Sequence, residues 1–237
     1  MPPKQDRHLP KGLFVLHDDR DLLVVEKPAG LLTMGTEREK ERTAYFALTD
    51  YVRKGNPKSP HRIFIVHRLD RETSGLLLFA KTEQAKFRLQ DAWSTVEKKY
   101  LAVVHGHCVP LHDTITTLLA ENQAFVVYET TDPAKGKPAT TEYTVLKTTK
   151  HLSLLEIRLL TGRKHQIRVQ LAARGFPVVG DKKYGLAGDP NPRLALHAHA
   201  LTFNHPTTGR PLTFTTDFPK YFEQLVGQIS DPTPAPE

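Results

Sequence analysis

Residues 66–82 read Val-His-Arg-Leu-Asp-Arg-Glu-Thr-Ser-Gly-Leu-Leu-Leu-Phe-Ala-Lys-Thr. A polar turn that carries Asp70 between Arg68 and Arg71 runs straight into the apolar stretch 76–80. An apolar run of that length, without polar alternation, predicts a strand buried on both faces. Such a strand is a rigid platform. A carboxylate on the turn before it can be held in a cleft, its ionisation set by neighbouring arginines. The same residues also fit a purely structural turn, in which Asp70 caps through Thr73 or Ser74 or pairs with an arginine.

Outward from this stretch, more strands are predicted at 22–26, 100–105, 124–128, 142–146, 153–160, 195–203 and 212–215, each rich in Val, Ile, Leu, Tyr or Phe. Pro28 ends the first of them, and His205-Pro-Thr-Thr-Gly209 reads as a hairpin turn between the last two. The spacing of Ala85, Leu89, Ala92, Trp93 and Val96 predicts a helix over 85–96, with Thr82 as cap and Glu83 in the first turn. A second helix is predicted over 163–174, between Gly162 and the stop signals Gly175 and Pro177, with Ile167, Leu171 and Ala172 facing inward. Many strands and few helices, without βαβ alternation, predict an α+β fold: a mixed, mostly antiparallel central sheet flanked by helices. One domain is expected over 12–229, after a flexible segment 1–11 and before a proline-rich tail 230–237. The basic, turn-rich segment 53–62 is expected to be an exposed loop.

The chain has 237 residues and a formal net charge of +7, which permits a polyanionic partner such as RNA through counterion release but equally fits a basic soluble protein with no such partner. A lone cysteine, Cys108, excludes an intrachain disulfide and any multi-cysteine zinc site. No apolar run is long enough to span a bilayer, and Met1–His8 lacks the apolar segment of a secretory signal, so a cytoplasmic protein is expected. His105-Gly-His-Cys108 and His197-Ala-His199 lack the ligand complement of a closed zinc site, so no metal is expected.

Four segments, in order, resemble the RluA-like pseudouridine synthases: Lys27-Pro-Ala-Gly30; His67-Arg-Leu-Asp-Arg-Glu-Thr-Ser-Gly75 with the apolar run after it; Lys99-Tyr-Leu-Ala-Val-Val104; and Leu160-Thr-Gly-Arg-Lys-His-Gln-Ile-Arg168, followed by Pro177-Val-Val-Gly-Asp181 and Tyr184-Gly185. The resemblance spans roughly residues 14–218 and implies the pseudouridine synthase-like fold, in a member without the separate N-terminal RNA-binding domain of many relatives. It makes Asp70 the nucleophile, Tyr100 the aromatic catalytic residue and Arg168 the arginine that pairs with Asp70. Arg68 matches the residue that fills the gap left by an extruded base. Arg163, Lys164, His165 and Ile167, with His67 and Lys27, are the remaining candidates for substrate contact.

The implied reaction isomerises uridines in structured RNA, ribosomal or transfer, and needs no cofactor. The partner is then an RNA stem-loop with a flippable uridine. No obligate protein partner and no membrane are expected, and the protein is expected to be a monomer. Two other readings compete. A catalytically silent RNA-binding module would need only the basic surface, and the intact set Asp70, Tyr100 and Arg168 argues against it. A glycoside hydrolase would use Asp70 with Glu72, yet two carboxylates two residues apart on a turn need not converge on one bond.

Overall fold

A computed structural model describes residues 6, 8–37 and 39–229. The chain separates into two compact units: residues up to Glu97 with Ala198–Thr216, and Lys98–His197 with the residues from Asp217 onward. In chain order the first elements are β1 (Phe14–Asp18), β2 (Leu22–Lys27), α1 (Ala44–Arg53), β3 (Phe64–Ile65), β4 (Ser74–Ala80) and α2 (Glu83–Asp91). There follow β5 (Glu97–His105), β6 (His112–Glu121), β7 (Val127–Thr130), β8 (Lys137–Thr148), β9 (Leu152–Leu159) and α3 (Gln166–Ala173). The chain then runs through β10 (Leu196–Asn204), β11 (Pro211–Thr215) and α4 (Lys220–Val226). No helix among the described residues is long and apolar enough to cross a membrane.

In the first unit all seven residues of β4 are buried, as its unbroken apolar run dictates. β4 pairs antiparallel with β2 from Leu22↔Ala80 to Lys27↔Gly75, and with β3 at Phe64↔Ala80 and Ile65↔Phe79. β2 pairs antiparallel with β1 through a bulge between Val15 and His17. Position 75 has to be glycine: its φ is +109°, and a Cβ would sit 2.2 Å from the Ala198 carbonyl oxygen. α2 is capped by Thr82, whose hydroxyl accepts from Ala85 N–H, and its buried face sets Ala85 and Leu89 against Leu22, Val24, Leu76, Leu78 and Phe203. The predicted helix 85–96 ends sooner than its apolar spacing suggests. It tightens into a 3-10 turn at Ala92–Thr95, where Thr95 Oγ1 donates to the Ala92 carbonyl at 2.8 Å.

The end of β1 is tied to the β10–β11 turn by one carboxylate. Asp19 Oδ1 accepts the N–H groups of Asp21 and Leu22, and its Oδ2 lies 2.7 Å from His17 Nε2 and 3.2 Å from His205 Nε2. His205 Nδ1 accepts N–H groups from Thr207 and Thr208, which leaves Nε2 as the protonated nitrogen of a neutral ring. Burial works to raise the Asp19 pKa, but the bonds from His17, Leu22 and Asp21 outweigh it and hold the carboxyl at about 2. A carboxyl depressed in the folded state stabilises above its unfolded pKa, and that contribution fades as pH falls through the folded value. The melting-temperature gap between the wild type and Asp19→Asn is therefore expected to narrow from pH 5 towards pH 2. A gap constant over that range, in parallel thermal melts, would contradict this account.

In the second unit the antiparallel order is β5-β9-β8-β6-β7. Its core joins Leu101, Val103, Leu154, Leu155 and Ile157 to Ile167 and Leu171 of α3 and Phe222 of α4. α3 begins three residues later than predicted, because Arg163–His165 form a turn that the Gln166 side chain closes: its Oε1 accepts from Arg163 N–H and Thr161 Oγ1. The strand predicted at 124–128 starts only at Val127, since Asn122 Oδ1 captures the N–H groups of Ala124 and Val126. α1 and α4 are absent from the sequence-based expectation. Each buries only two residues, too thin a stripe to stand out. Of the segment 1–11, residues 1–5 and 7 lie outside the described residues and Leu9 is buried; the tail 230–237 lies wholly outside them.

Candidate active site

In the first unit the loop bearing Asp70 is laced to the loop that follows β2. Lys27, at the end of β2, is fully buried, and its ammonium donates to the carbonyls of Pro28 (3.0 Å), Leu31 (2.8 Å) and Arg71 (3.1 Å). Those three bonds tie the ammonium to both loops. Gly30 N–H donates to the same Arg71 carbonyl at 2.9 Å. Thr33 Oγ1 donates to the Leu69 carbonyl (2.9 Å) and accepts from Leu69 N–H (3.2 Å). Thr73 N–H closes the turn onto the Asp70 carbonyl at 3.2 Å. The loop is thus clamped on both sides of Asp70, and the Asp70 side chain is half-buried.

His67 is part of the same brace. Its Nε2 accepts from Leu78 N–H at 3.0 Å, and its ring stacks on Trp93 with centroids 4.6 Å apart. Arg68 is exposed, and Arg71 forms an ion pair with Glu39. Of the candidates in this unit, Arg68 is exposed and Asp70 half-buried, whereas the His67 and Lys27 side chains form hydrogen bonds within the brace.

In the second unit Tyr100 lies on β5 opposite Ile157, half-buried against the core. Arg168, on α3, is buried and forms a side-on fork with Asp181: Nε to Oδ2 at 2.7 Å and Nη2 to Oδ1 at 2.8 Å. Asp181 also accepts the N–H groups of Lys183 and Tyr184. Burial pushes its carboxyl up, but the Arg168 fork and these N–H groups outweigh burial and hold it below the usual carboxylate range. The Arg168 guanidinium lies 5.2 Å from the centroid of the Tyr184 ring. Tyr184 Oη accepts from Val127 N–H (3.1 Å) and meets His165 Nδ1 at 2.8 Å.

α3 is anchored from below. Gln170, fully buried, donates to the Ala139 carbonyl and Thr117 Oγ1 and accepts from Thr141 Oγ1, and Gln166 donates to the Thr140 carbonyl and Thr141 Oγ1. The turn carrying Asp181 depends on Gly180, with φ +74° and space for no Cβ, which would stand 1.9 Å from the Arg193 carbonyl oxygen.

At the head of α3, Arg163 donates through Nε to the Pro138 carbonyl at 3.0 Å, Lys164 forms an ion pair with Glu121, and His165 holds a left-handed backbone at φ +53°. Ile167 is buried in the core. Arg163, Lys164 and His165 therefore gather at one turn, and Ile167 faces away from it. Asp181 and Tyr184 carry no role in the sequence reading, although both stand in one of its motif segments. The available signal was a buried arginine on a helix, which needs a buried acid nearby, thirteen residues downstream in this chain.

Chemically, the first unit offers a carboxylate on a clamped turn and an exposed guanidinium two residues before it. The second offers a guanidinium fixed in orientation, a half-buried phenol and a basic turn. These are parts for acid–base or nucleophilic work on an anionic substrate. The RNA pseudouridylate synthase family matches residues 21–173, a span that includes Asp70, Tyr100 and Arg168. The chain is 37% identical over 232 residues to the RNA pseudouridine synthase YlyB of Bacillus subtilis, covering 93% of this chain and 74% of the relative. It is 34% identical over 212 residues to the dual-specificity RNA pseudouridine synthase RluA of Escherichia coli, covering 85% and 91%. The solved structure of human RNA pseudouridylate synthase domain containing 1 superposes with a TM-score of 0.72 at 28% identity, over 88% of this chain and 84% of that one. A family match across most of the chain, together with these relatives, makes this protein a member of the RNA pseudouridylate synthase family, an isomerase that converts uridine in RNA to pseudouridine.

Proposed function

We propose that Asp70 is the catalytic carboxylate of this isomerase, assisted by Arg168 and Tyr100, and that Arg68 takes the space vacated by an extruded uridine. The observation that carries this reading is the clamp of Lys27 and Thr33 on the Asp70 loop, which holds one half-buried acid in place. The reaction breaks the bond from N1 of uracil to the ribose C1′, turns the base and joins C5 to C1′; the C5 hydrogen leaves as a proton and N1 takes one up, so the product is an isomer. Nothing is oxidised or reduced, so side chains suffice. The base must first leave its stack, at a cost of about a few kcal/mol that is lowest in a loop. A carboxylate then divides the glycosyl transfer into two easier steps.

Arg168 gives Nε and Nη2 to Asp181, a fork that fixes the plane of its guanidinium, and the family resemblance is what assigns that guanidinium to Asp70. Tyr100 supplies a flat face for the base and a hydroxyl for proton transfer. Lys27 and His67 act as positioning residues.

The substrates are loops of ribosomal or transfer RNA, and the enzyme works as a cytoplasmic monomer without metal or cofactor. Mapping pseudouridines in total RNA from cells with and without this protein tests the assignment: specific sites should vanish in its absence, and an unchanged map would refute it. RNA binding should also be salt-sensitive. With about three or four phosphate contacts from Arg163, Lys164 and their neighbours, raising salt from 50 to 200 mM should weaken binding roughly twenty- to fiftyfold. Affinity that does not change with salt would contradict a phosphate-tracking surface.

A further inference from the structure

The tip of the β6–β7 hairpin carries a phenylalanine with no core to enter. Phe125 is 69% exposed and has φ +57°, a backbone conformation in which a bulky aromatic is an outlier. The turn enforces it. Phe125 N–H donates to the Asn122 carbonyl (2.9 Å), Asn122 N–H donates to the Val126 carbonyl (3.0 Å), and Asn122 Oδ1 accepts from Ala124 and Val126. A single exposed apolar side chain is ordinary. One held outward on a strained, fully hydrogen-bonded turn is the pattern of a contact residue.

The surroundings indicate what it contacts. Lys164 Nζ lies 5.4 Å from the ring centroid, and Lys183 Nζ donates to the Phe125 carbonyl at 2.6 Å. One carboxylate, Glu121, pairs with Lys164, so two ammonium groups and one acid frame the ring. The hairpin also joins the candidate site of its own unit: Val127 N–H donates to Tyr184 Oη, which meets His165, and the Tyr184 ring lies against Arg168.

We propose that Phe125 is a stacking platform for an unpaired base of the substrate RNA, with Lys164 and Lys183 beside the ring to meet the adjoining phosphates. Every base has a π face, and single-stranded RNA is commonly gripped by aromatic side chains among cations. A lipid or apolar protein surface would call for a wider apolar patch than one ring between two lysines. The proposal rests on the RNA-modifying reading above and adds a subsite to it.

The test uses the full-length chain with Phe125→Ala, Phe125→Leu and Phe125→Trp. Binding is measured with a single-stranded oligouridylate at low salt, and KM and kcat for pseudouridine formation with total RNA from cells lacking this protein. Base–aromatic stacking of ordinary strength predicts that Phe125→Ala and Phe125→Leu each raise Kd and KM about five- to a hundredfold, with kcat at saturating RNA unchanged. Phe125→Trp should keep wild-type affinity, and its emission should be quenched as the oligonucleotide binds. Wild-type affinity in Phe125→Leu or Phe125→Ala, equal loss in all three variants, unquenched emission, or no oligouridylate binding by the wild type would each overturn the proposal. None of these outcomes touches the role of Asp70, whose loss shows in kcat.

Discussion

Replacing Asp70 by asparagine is expected to lower pseudouridine formation by at least about a thousandfold, as loss of an essential acid or nucleophile does. RNA affinity should stay within a few-fold of wild type. The physical case rests on what the substitution leaves alone. The clamp on the loop runs through backbone carbonyls and N–H groups at Leu69, Asp70, Arg71 and Thr73, and through the side chains of Lys27 and Thr33, so the turn keeps its shape with an amide at position 70. The charge that binds RNA lies elsewhere. What the amide lacks is the negative charge and the electron pair of an ionised carboxylate, the property that glycosyl transfer uses. Nucleoside analysis of RNA after incubation reads the turnover, and filter binding reads the affinity. Near-normal turnover in Asp70→Asn would refute the assignment, and a parallel collapse of affinity and turnover would point to a purely structural aspartate.

The second large effect is expected at Asp181, the acid that holds Arg168 in its fork. Removing the carboxylate in Asp181→Ala takes the fork from a buried guanidinium and deprives the N–H groups of Lys183 and Tyr184 of that acceptor. Breaking a buried ion pair by deleting one partner costs about 3–5 kcal/mol. In a chain of this size that lowers the melting temperature by roughly 6–20 °C. Replacing the whole pair by apolar side chains, Arg168→Met with Asp181→Leu, should recover part of that loss, because both charges of the buried fork are then removed together. Activity should not return with it, since the guanidinium is gone. Arg168→Lys should likewise impair turnover, because an ammonium cannot form the fork. A melting point for Asp181→Ala within a degree or two of wild type would contradict the first expectation, and an active double variant would contradict the second.

How far the molecule is legible from its residues depends on the range over which each interaction acts. β4 stands out because one unbroken run, Leu76 to Ala80, contains its whole reason for being buried. The Asp70 turn is visible for the same cause. The clamp is not, because Lys27 reaches carbonyls at positions 28, 31 and 71, and no local pattern says that a lysine ending a strand will be fully buried. Arg168 is singled out by its motif, whereas Asp181 emerges only once Gly180 allows the turn that brings the acid back onto α3. The stretch Ala-Phe-Val-Val-Tyr at 124–128 has the composition of a strand, yet Asn122 takes its first N–H groups into a turn and pushes the strand start to Val127. Side-chain capture of backbone donors is the recurring reason for such shifts, and Gln166 does the same at the start of α3. Composition signals burial well and signals a specific polar partner poorly.

The central claim is that a uridine turned out of its RNA meets the side chain at position 70. A crystal structure of the Asp70→Asn protein bound to an unmodified substrate RNA examines it most directly. The account predicts the target uridine unstacked, with its C1′ or its base ring about 3–3.5 Å from the position-70 side chain, as a near-attack geometry requires, and with Arg68 filling the gap in the stack. A uridine still stacked in its helix, or one lying against another acid with position 70 out of reach, would contradict it.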